Sequence, residues 1–340
     1  MARLFFDGFE SGTANLWDYL HLPNGLNGDS EITGTYSLQR GSTVYKDFEE
    51  VDIYDLYVGF WIKFGSATGQ IYIEPCILGS NEELFENGRV ELLGTYNSLS
   101  GEGSITFSIY TNSLIREVYT IEQILYPTNN VQVRMKSNQD DSVLVQIKLN
   151  GEQVLNETIS GSSKVNAGSG EYISRLQLRT TNSSYYTFID DVVMENADWP
   201  GPSKIYGLAP NAAGSSTVWQ PSSGDNYECV NSIPPSQNSY VTTPDALDLD
   251  LYSIGNLPSG ITTIKGVQVF GMAKTPGPPS LEYLQLAIRT GSSNFYSSSK
   301  RLYYNYRTFL KAWETNPNTG NSWTSSEVND LQAGMRLVSS

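Results

Sequence analysis

Apolar and polar side chains alternate along short stretches that recur over most of the chain. Residues 131–136 and 143–149 show this period-two pattern, and residues 174–180 repeat it. Such alternation places the apolar side chains on one face of a β-strand and the polar ones on the other. The pattern therefore predicts strands in these stretches, and also at residues 57–64, 70–78, 90–96, 104–110 and 185–194.

A hairpin is predicted where two of these runs meet. Asn150-Gly151 separates the strand at residues 143–149 from a second run at residues 152–159. Both central residues of a type I′ turn need a positive φ, which Asn and Gly tolerate better than other residues. The pair therefore predicts two antiparallel strands joined by a two-residue turn.

The part of the chain beyond residue 204 carries one helix signal among further strand patterns. Thr324, followed three positions later by Glu327, forms a capping box and predicts a short helix near the C-terminus. Tyr303, Tyr304 and Tyr306 would present rings on both faces of a strand at residues 302–309. This arrangement indicates either a subunit interface or ordinary cross-strand pairing. Further strands are predicted at residues 261–273, 281–289 and 335–338.

Strands at short intervals with a single helix are typical of β-sandwiches and jelly rolls. We therefore predict an all-β protein made of two β-sandwich or jelly-roll domains, with one short helix near the C-terminus. Residues 196–203 contain two prolines and a glycine, which interrupt regular structure and predict a linker. The predicted domains cover residues 1–195 and 204–340.

Acidic side chains outnumber basic ones, and this balance excludes several classes of partner. The formal net charge is −15, so binding to the polyanionic backbone of nucleic acid is disfavoured. No apolar run approaches the roughly 20 residues that span a bilayer, and we expect no membrane insertion. The opening residues, 1–7, lack the features of a secretory signal, which favours synthesis in a cytoplasm.

The chain has two cysteines and one histidine. Cys76 and Cys229 fall in different predicted domains, so we expect two free buried thiols rather than a disulfide framework or a zinc site. His21 is the one imidazole in the sequence. This removes most multi-histidine metal sites, restricts any Ser-His-Asp triad to this one imidazole and favours a structural role for His21.

Two groups of acidic residues are candidates for catalysis or metal binding. Glu50 and Asp52 share a strand face at period two, and Asp55 joins them only through a bulge. A retaining glycosidase needs two carboxyl groups about 5–5.5 Å apart. The group is therefore a candidate catalytic site, and the alternative interpretation is an acidic turn that leads into the next strand. Asp190 and Asp191 offer oxygen ligands of the kind that Ca²⁺ takes, although a regular strand sends them to opposite faces.

Sugar binding needs an aromatic ring for stacking, with polar groups beside it. The tyrosine-rich loop at residues 183–186 is one candidate. The alternative for every aromatic residue is a place in the core or at an interface. The candidate tryptophans are Trp17, Trp61, Trp199 and Trp219.

Asp248 and Asp250 share one face of a strand. They are interpreted as residues of a solvent-exposed sheet edge.

The two ends of the first predicted domain resemble a known family. Residues 5–12 (Phe-Phe-Asp-Gly-Phe-Glu-Ser-Gly), together with Trp17, resemble the first strand of concanavalin A-like (laminin-G/lectin-like) jelly rolls. Residues 188–193 (Phe-Ile-Asp-Asp-Val-Val) are similar to the last strand of these domains. The resemblance implies that the terminal strands lie side by side in one sheet.

The second predicted domain also carries a series of recognisable motifs. They are Trp219 and Trp313 and the stretches at residues 226–229, 248–252, 264–269, 289–291, 313–320 and 323–334. This succession is similar to a domain of tailed-bacteriophage structural proteins. The similarity implies a component on the outside of the virion, such as a capsid decoration protein, a head fibre or a tail-associated protein.

These resemblances lead to a prediction of function. We expect a non-enzymatic structural component of a phage particle that acts by docking and adhesion, assembles in the host cytoplasm and resides in the virion. Expected partners are other virion proteins and further copies of the chain, with a trimer and a host surface glycan left open. No catalytic, cofactor-binding or metal-binding residue is assigned, and Ca²⁺ stays open as a cofactor. The alternatives are a glycan-binding host adhesin and a polysaccharide hydrolase using Glu50 and Asp52.

Overall fold

A computed structural model describes residues 3–339 except for 13, 23–24, 29–31, 33–34, 49–52, 65–68, 78–87, 98–99, 101, 112–113, 123–127, 139–141, 160–172, 182–186 and 277–281. The chain divides into two compact units, Met1–Ile205 and Tyr206–Ser340. Strands dominate both units in the described part of the chain, and the predicted all-β class is confirmed.

The first unit is built from long strands and a few short ones. Most of the strands predicted from alternation are present, with ends that differ by a few residues. The strands described are β1 (Arg3–Asp7), β2 (Tyr19–His21), β3 (Leu26–Asn27), β4 (Ser37–Leu38), β5 (Thr43–Asp47), β6 (Asp55–Phe64), β7 (Gly69–Ile77), β8 (Gly88–Asn97), β9 (Glu102–Thr111), β10 (Leu114–Glu122), β11 (Thr128–Ser137), β12 (Val143–Leu149), β13 (Glu152–Ile159), β14 (Ile173–Thr180) and β15 (Thr187–Glu195).

Two antiparallel sheets form this unit. Within the described residues one sheet has eight strands in the order β13-β12-β11-β6-β15-β4-β3, with β1 also paired to β15. The other has seven strands in the order β10-β9-β8-β7-β14-β5-β2. The sheets touch where the Phe64 ring of β6 covers Gly94 of β8, since a Cβ added at Gly94 would lie 2.0 Å from Phe64 Cζ. The two sheets therefore pack face to face as a β-sandwich.

Two local expectations for this unit are met. Asn150 and Gly151 join β12 to β13 with φ angles of 52° and 89°, as a type I′ turn requires. The first and last strands, β1 and β15, pair side by side, with Phe6 opposite Val193. This is the arrangement that the resemblance to concanavalin A-like jelly rolls implied.

Residues 196–205 cover part of the outer face of the eight-stranded sheet. The Pro200 ring lies against Gly59, where an added Cβ would come within 3.1 Å of it. Gly201 N–H donates a hydrogen bond to Gln132 Oε1 (2.9 Å), and Trp61 Nε1 donates one to the Ser203 carbonyl (2.9 Å). The segment predicted as a linker, residues 196–203, thus lies within the first unit and packs on its sheet.

The second unit has shorter strands and the one α-helix of the described chain. Its elements are β16 (Pro210–Thr217), β17 (Gln220–Pro221), a 3-10 helix (Asn226–Cys229), β18 (Val241–Thr242), β19 (Leu249–Ile254), β20 (Val267–Ala273), β21 (Glu282–Thr290), β22 (Ser293–Tyr296), β23 (Lys300–Arg301), β24 (Arg307–Trp313), α1 (Ser325–Asn329) and β25 (Gln332–Ser339).

A sheet in the order β16-β19-β25-β21-β22 forms one layer of this unit, with β23 also paired to β21. The β20-β24 pair packs over it, since a Cβ added at Gly271 of β20 would meet Met335 of β25. The core between the layers contains three tryptophans. Its buried members are Trp219, Leu284, Leu286, Ile288, Leu302, Phe309, Trp313, Trp323, Val328, Leu331 and Leu337.

The helix prediction was right and one strand prediction was wrong. Thr324 caps α1, and its side chain and that of Glu327 form the predicted capping box. The strand predicted at residues 302–309 begins only at Arg307, so Tyr303, Tyr304 and Tyr306 lie in the loop before β24. Rings on both faces of one strand, the premise of the interface interpretation, are therefore absent from this loop.

The backbones of β19 and β25 approach each other closely at Gly334, so a substitution there tests the packing of the second unit. A Cβ at this position would lie 1.8 Å from the Asp250 carbonyl oxygen of the neighbouring strand β19. We predict that Gly334→Ala lowers the free energy of unfolding by about 1–3 kcal/mol, the usual cost of overpacking. Urea denaturation of the full chain measures this. Gly255→Ala is the control, because its Cβ would meet only the Ala209 carbonyl at 3.8 Å; equal effects of the two substitutions would contradict the prediction.

Candidate functional site

The outer face of the seven-stranded sheet carries an array of polar side chains. Alternation along the strands turns apolar residues such as Leu176 and Leu178 of β14 inward, where both are buried. Their neighbours Arg175, Gln177 and Arg179 therefore point outward. We call the outward side chains of β2, β5, β14, β7, β8 and β9 the polar face.

Strand register aligns five polar residues across the middle of this face. Arg179 of β14 lies between Thr43 of β5 and Tyr72 of β7. Tyr72 in turn lies opposite Glu91 of β8, which lies opposite Ser108 of β9. Neighbouring strands are about 4.8 Å apart, so this row extends about 19 Å. His21, on the exposed edge strand β2, continues the row beyond Thr43.

Guanidinium groups lie over tyrosine rings at two places on the polar face. Arg179 Cζ is 4.2 Å from the centroid of the Tyr72 ring, and Arg175 Cζ is 3.6 Å from that of Tyr45. The Arg175 guanidinium also forms two hydrogen bonds to the Asp47 carboxylate, of 2.5 and 3.0 Å. These contacts hold the rings and guanidinium groups in place, so little side-chain freedom is left to lose when a ligand binds.

Further contacts fix the surroundings of the two arginines. The Tyr19 ring stacks on Tyr45, with centroids 4.9 Å apart and planes 4° from parallel. Gln70 Nε2 donates a hydrogen bond to Glu91 Oε1 (3.1 Å), and the Tyr72 hydroxyl donates one to Gln70 Oε1 (3.4 Å). The face thus combines rings, hydrogen-bond donors and hydrogen-bond acceptors in a fixed arrangement.

Of the three acidic residues predicted as a catalytic group, the structure describes Asp55. Glu50 and Asp52 lie outside the described residues. Asp55 begins β6 of the other sheet, and its carboxylate accepts two hydrogen bonds from Arg134, of 2.9 and 2.6 Å. The Asp55 side chain is therefore engaged in an ion pair with Arg134 on the eight-stranded sheet, away from the polar face.

The tryptophans considered as sugar platforms have other roles in the structure. Trp17 is buried, and its Nε1–H donates a hydrogen bond to Asp7 Oδ2 (2.9 Å). Trp61 and Trp199 contact the eight-stranded sheet and its covering segment, and Trp219 lies in the core of the second unit. The loop at residues 183–186 lies outside the described residues. Sequence reasoning thus missed the polar face, although alternation at residues 174–180 and 70–78 was the signal that marks two of its strands.

Asp190 and Asp191 are both buried, at a bulge of β15. Asp191 has φ of 50°, and its carboxylate accepts a hydrogen bond from Ile205 N–H (2.7 Å). Asp190 Oδ1 accepts one from Asp191 N–H (2.8 Å). Among the described residues, no group of three or more His, Cys, Asp or Glu side chains is arranged to hold a metal ion.

The expectation of a solvated edge was wrong for Asp250. This carboxylate is buried and accepts hydrogen bonds from Trp219 N–H (2.9 Å), the Asn226 amide (2.6 Å) and the Tyr252 hydroxyl (2.8 Å). Burial and the neighbouring carboxylate together raise the pKa of Tyr252. Asp250 is therefore a structural residue that ties β19 to the segment leading into the 3-10 helix.

Two further expectations concern single residues and membrane insertion. Cys229 is free and buried, as predicted, whereas the side chain of Cys76 lies outside the described residues. Within the described part of the chain, no helix has the length and apolar character needed to span a bilayer.

Comparison with known proteins gives matches at the level of structure. No family model matches the chain, and no curated protein matches its sequence. One matching structure is an endo-β-1,4-glucuronan lyase from the fungus Trichoderma reesei, with 12% identity, 58% of this chain and 96% of that chain covered, and a TM-score of 0.38. Another is an alginate lyase from Aplysia kurodai, with 7% identity, 58% and 100% covered, and a TM-score of 0.36. Sheep galectin-11 matches with 8% identity, 44% and 96% covered, and a TM-score of 0.28.

These matches contradict the prediction that the chain is not an enzyme. Lyases stand among the matched structures. A fold by itself does not decide whether a protein catalyses a reaction. The prediction was wrong because it treated the absence of a recognisable catalytic cluster in the sequence as evidence against enzymatic activity.

Asp7 is a buried carboxyl at the end of β1, the strand that pairs with β15, and its ionisation should make the stability of the chain depend on pH. Burial raises the pKa of this carboxyl from 3.8 to about 7, and the hydrogen bonds from Phe9 N–H and Trp17 Nε1–H oppose the shift only in part. A carboxyl whose pKa is raised on folding contributes stability that is full below the unfolded pKa and is lost as the pH rises through the folded pKa.

We therefore predict that wild type exceeds Asp7→Asn in unfolding free energy most at about pH 4, and that this excess shrinks towards about pH 8. Urea denaturation across this range measures the difference. Asp198→Asn, at an exposed position, is the control. A difference between wild type and Asp7→Asn that stays constant with pH would contradict the prediction.

Proposed function

We propose that the chain binds a carbohydrate on the polar face of its first unit. The observation that carries the proposal is the pair of arginine–tyrosine stacks, Arg179 on Tyr72 and Arg175 on Tyr45, at the centre of a half-buried polar sheet surface. Residues 196–205 pack on part of the corresponding surface of the opposite sheet, against Gly59 and Gln132. The two sheets therefore differ in what their outer faces can contact.

The chemistry of this face suits a polyhydroxylated ligand. A sugar ring presents an apolar face that packs on a tyrosine, while its hydroxyls both donate and accept hydrogen bonds. Arginine offers several N–H donors in a fixed plane. Gln70 offers an amide, and the carboxylate of Glu91 accepts. Their mutual contacts place these groups before a ligand arrives, which lowers the entropic cost of binding.

The length of the row favours an extended ligand over a single small molecule. Thr43, Arg179, Tyr72, Glu91 and Ser108 follow one line across five strands. A chain of several sugar units laid along this line would meet the half-buried side chains of Thr43, Arg179, Tyr72 and Ser108, with the buried Glu91 beneath it. We therefore propose an oligosaccharide or polysaccharide as the ligand, in keeping with adhesion to a host surface glycan. Residence on a tailed-phage particle stays a prediction.

The experiment is a glycan array probed with the full chain, followed by affinity measurements on variants. We predict binding to at least one oligosaccharide. Arg179→Ala and Arg175→Ala should each weaken it about tenfold, because each removes a charge-assisted hydrogen-bond donor worth about 1.4 kcal/mol or more. Calorimetric titration with the selected oligosaccharide measures the change.

Arg134→Ala is a closely matched control. Arg134 pairs with Asp55 and lies over the Tyr57 ring, as Arg175 pairs with Asp47 and lies over Tyr45. The two arginine side chains are also similarly exposed, at 20% and 18%. Arg134 belongs to the eight-stranded sheet, so its loss should leave affinity unchanged. Equal weakening by Arg134→Ala and Arg175→Ala, or an array without any binding, would contradict the proposal.

A further inference from the structure

The second unit contains a cleft of about 460 Å³, and none of the residues that line it is a buried member of the hydrophobic core. We call it the tyrosine cleft and define it by the residues that line it. Its volume lies within the roughly 300–1,000 Å³ of small-molecule sites in proteins. The lining residues that matter below are Gln237, Lys274, Thr275, Tyr304, Asn305 and Tyr306.

Hydrogen bonds hold the two walls of the cleft together. Thr275 is buried, and its N–H donates to the carbonyl of Tyr303 (2.9 Å), in the loop that carries the tyrosines. The Thr275 hydroxyl donates to Glu282 Oε2 (2.9 Å), and Leu302 N–H donates to the Glu282 carbonyl (3.0 Å). The segment at residues 274–276 and the loop at residues 303–306 are thus both tied to β21. These two walls of the cleft are therefore held in place before any ligand binds.

The cleft has aromatic surface at its rim and on one wall. Tyr304 is 63% exposed, so most of its ring is in contact with solvent. Tyr306 is half-buried, and Lys274 Nζ lies 4.6 Å from the centroid of its ring. Tyrosine rings supply flat apolar contact at low entropic cost and keep a hydroxyl for hydrogen bonding.

The remaining lining groups are polar and of mixed character. Gln237 and Asn305 each have a side-chain amide that both donates and accepts hydrogen bonds, and Lys274 donates. A protein partner is expected to bury a mainly apolar centre with few charges. Rings beside amides in a concave site instead match the alternating apolar and hydroxyl surfaces of a sugar.

We infer that the tyrosine cleft is a second carbohydrate site, which takes one or two sugar units through Tyr304, Gln237 and Asn305. A sugar would pack on the exposed Tyr304 ring and direct hydroxyls to the amides of Gln237 and Asn305. This inference rests on residues of the second unit alone, so it is independent of binding at the polar face.

The test is saturation-transfer NMR on the full chain carrying Arg179→Ala. This substitution should weaken sugar binding at the polar face and leaves the residues of the tyrosine cleft unchanged. The probes are glucose, galactose, N-acetylglucosamine and glucuronic acid. We expect saturation transfer to at least one of them. Adding Tyr304→Ala or Gln237→Ala should lower that transfer at least about fivefold, as the loss of an aromatic or hydrogen-bonding contact of about 1 kcal/mol implies.

Tyr303→Ala is the matched control. It removes an exposed ring of the same loop whose side chain is outside the cleft, and it should leave saturation transfer within about twofold of the parent chain. No transfer from any of the four probes, or transfer that Tyr304→Ala does not lower, would overturn the inference. Self-association that Tyr304→Ala abolishes, without sugar binding, would assign the surface to protein contacts and overturn it too. Array binding that depends on Arg175 and Arg179 would survive each of these outcomes.

Discussion

The register of β5, β14 and β7 is the constraint on which the rest of the first unit depends. Side chains alternate between the two faces of a strand, so a shift of one residue exchanges every inward and outward position. In β14 the correct register buries Leu176 and Leu178 in the sandwich and turns Arg175 and Arg179 outward. A slipped strand would bury two guanidinium groups and expose two leucines. The hydrophobic core thus fixes the polar face as a consequence of its own packing.

Each sheet carries an arginine that pairs with an aspartate and lies over a tyrosine ring. The surroundings of this cluster determine whether it can contact a ligand. Arg134, Asp55 and Tyr57 on the eight-stranded sheet repeat the contacts of Arg175, Asp47 and Tyr45 on the other. On the eight-stranded sheet, Trp199 packs edge-on against Tyr57 within the covering segment at residues 196–205. An arginine–tyrosine stack alone is therefore no mark of a binding site. Among the described residues the polar face carries two such stacks, Arg175 on Tyr45 and Arg179 on Tyr72, whereas the eight-stranded sheet carries one.

Local signals in the sequence predicted local structure, and the site depends on contacts between distant strands. Asn150-Gly151 and the Thr324–Glu327 box act within a few residues, so the hairpin and α1 could be predicted. Arg179 and Tyr72 meet only because β14 pairs with β7, and no pattern within either strand shows that pairing.

Aromatic residues were the least informative part of the sequence. Tryptophans suit a hydrophobic core as well as a sugar site, which is why Trp17 and Trp219 were misleading. Tyr303, Tyr304 and Tyr306 suit strands and exposed loops equally, so alternation placed them in a strand that begins after them.

The most direct test of the central claim is a crystal structure of the full chain with the oligosaccharide that it binds most tightly. We predict electron density for the sugar along the row from Thr43 to Ser108, in contact with Tyr72 and Arg179. Density for the sugar only on the eight-stranded sheet or only in the second unit, with the polar face empty, would contradict it.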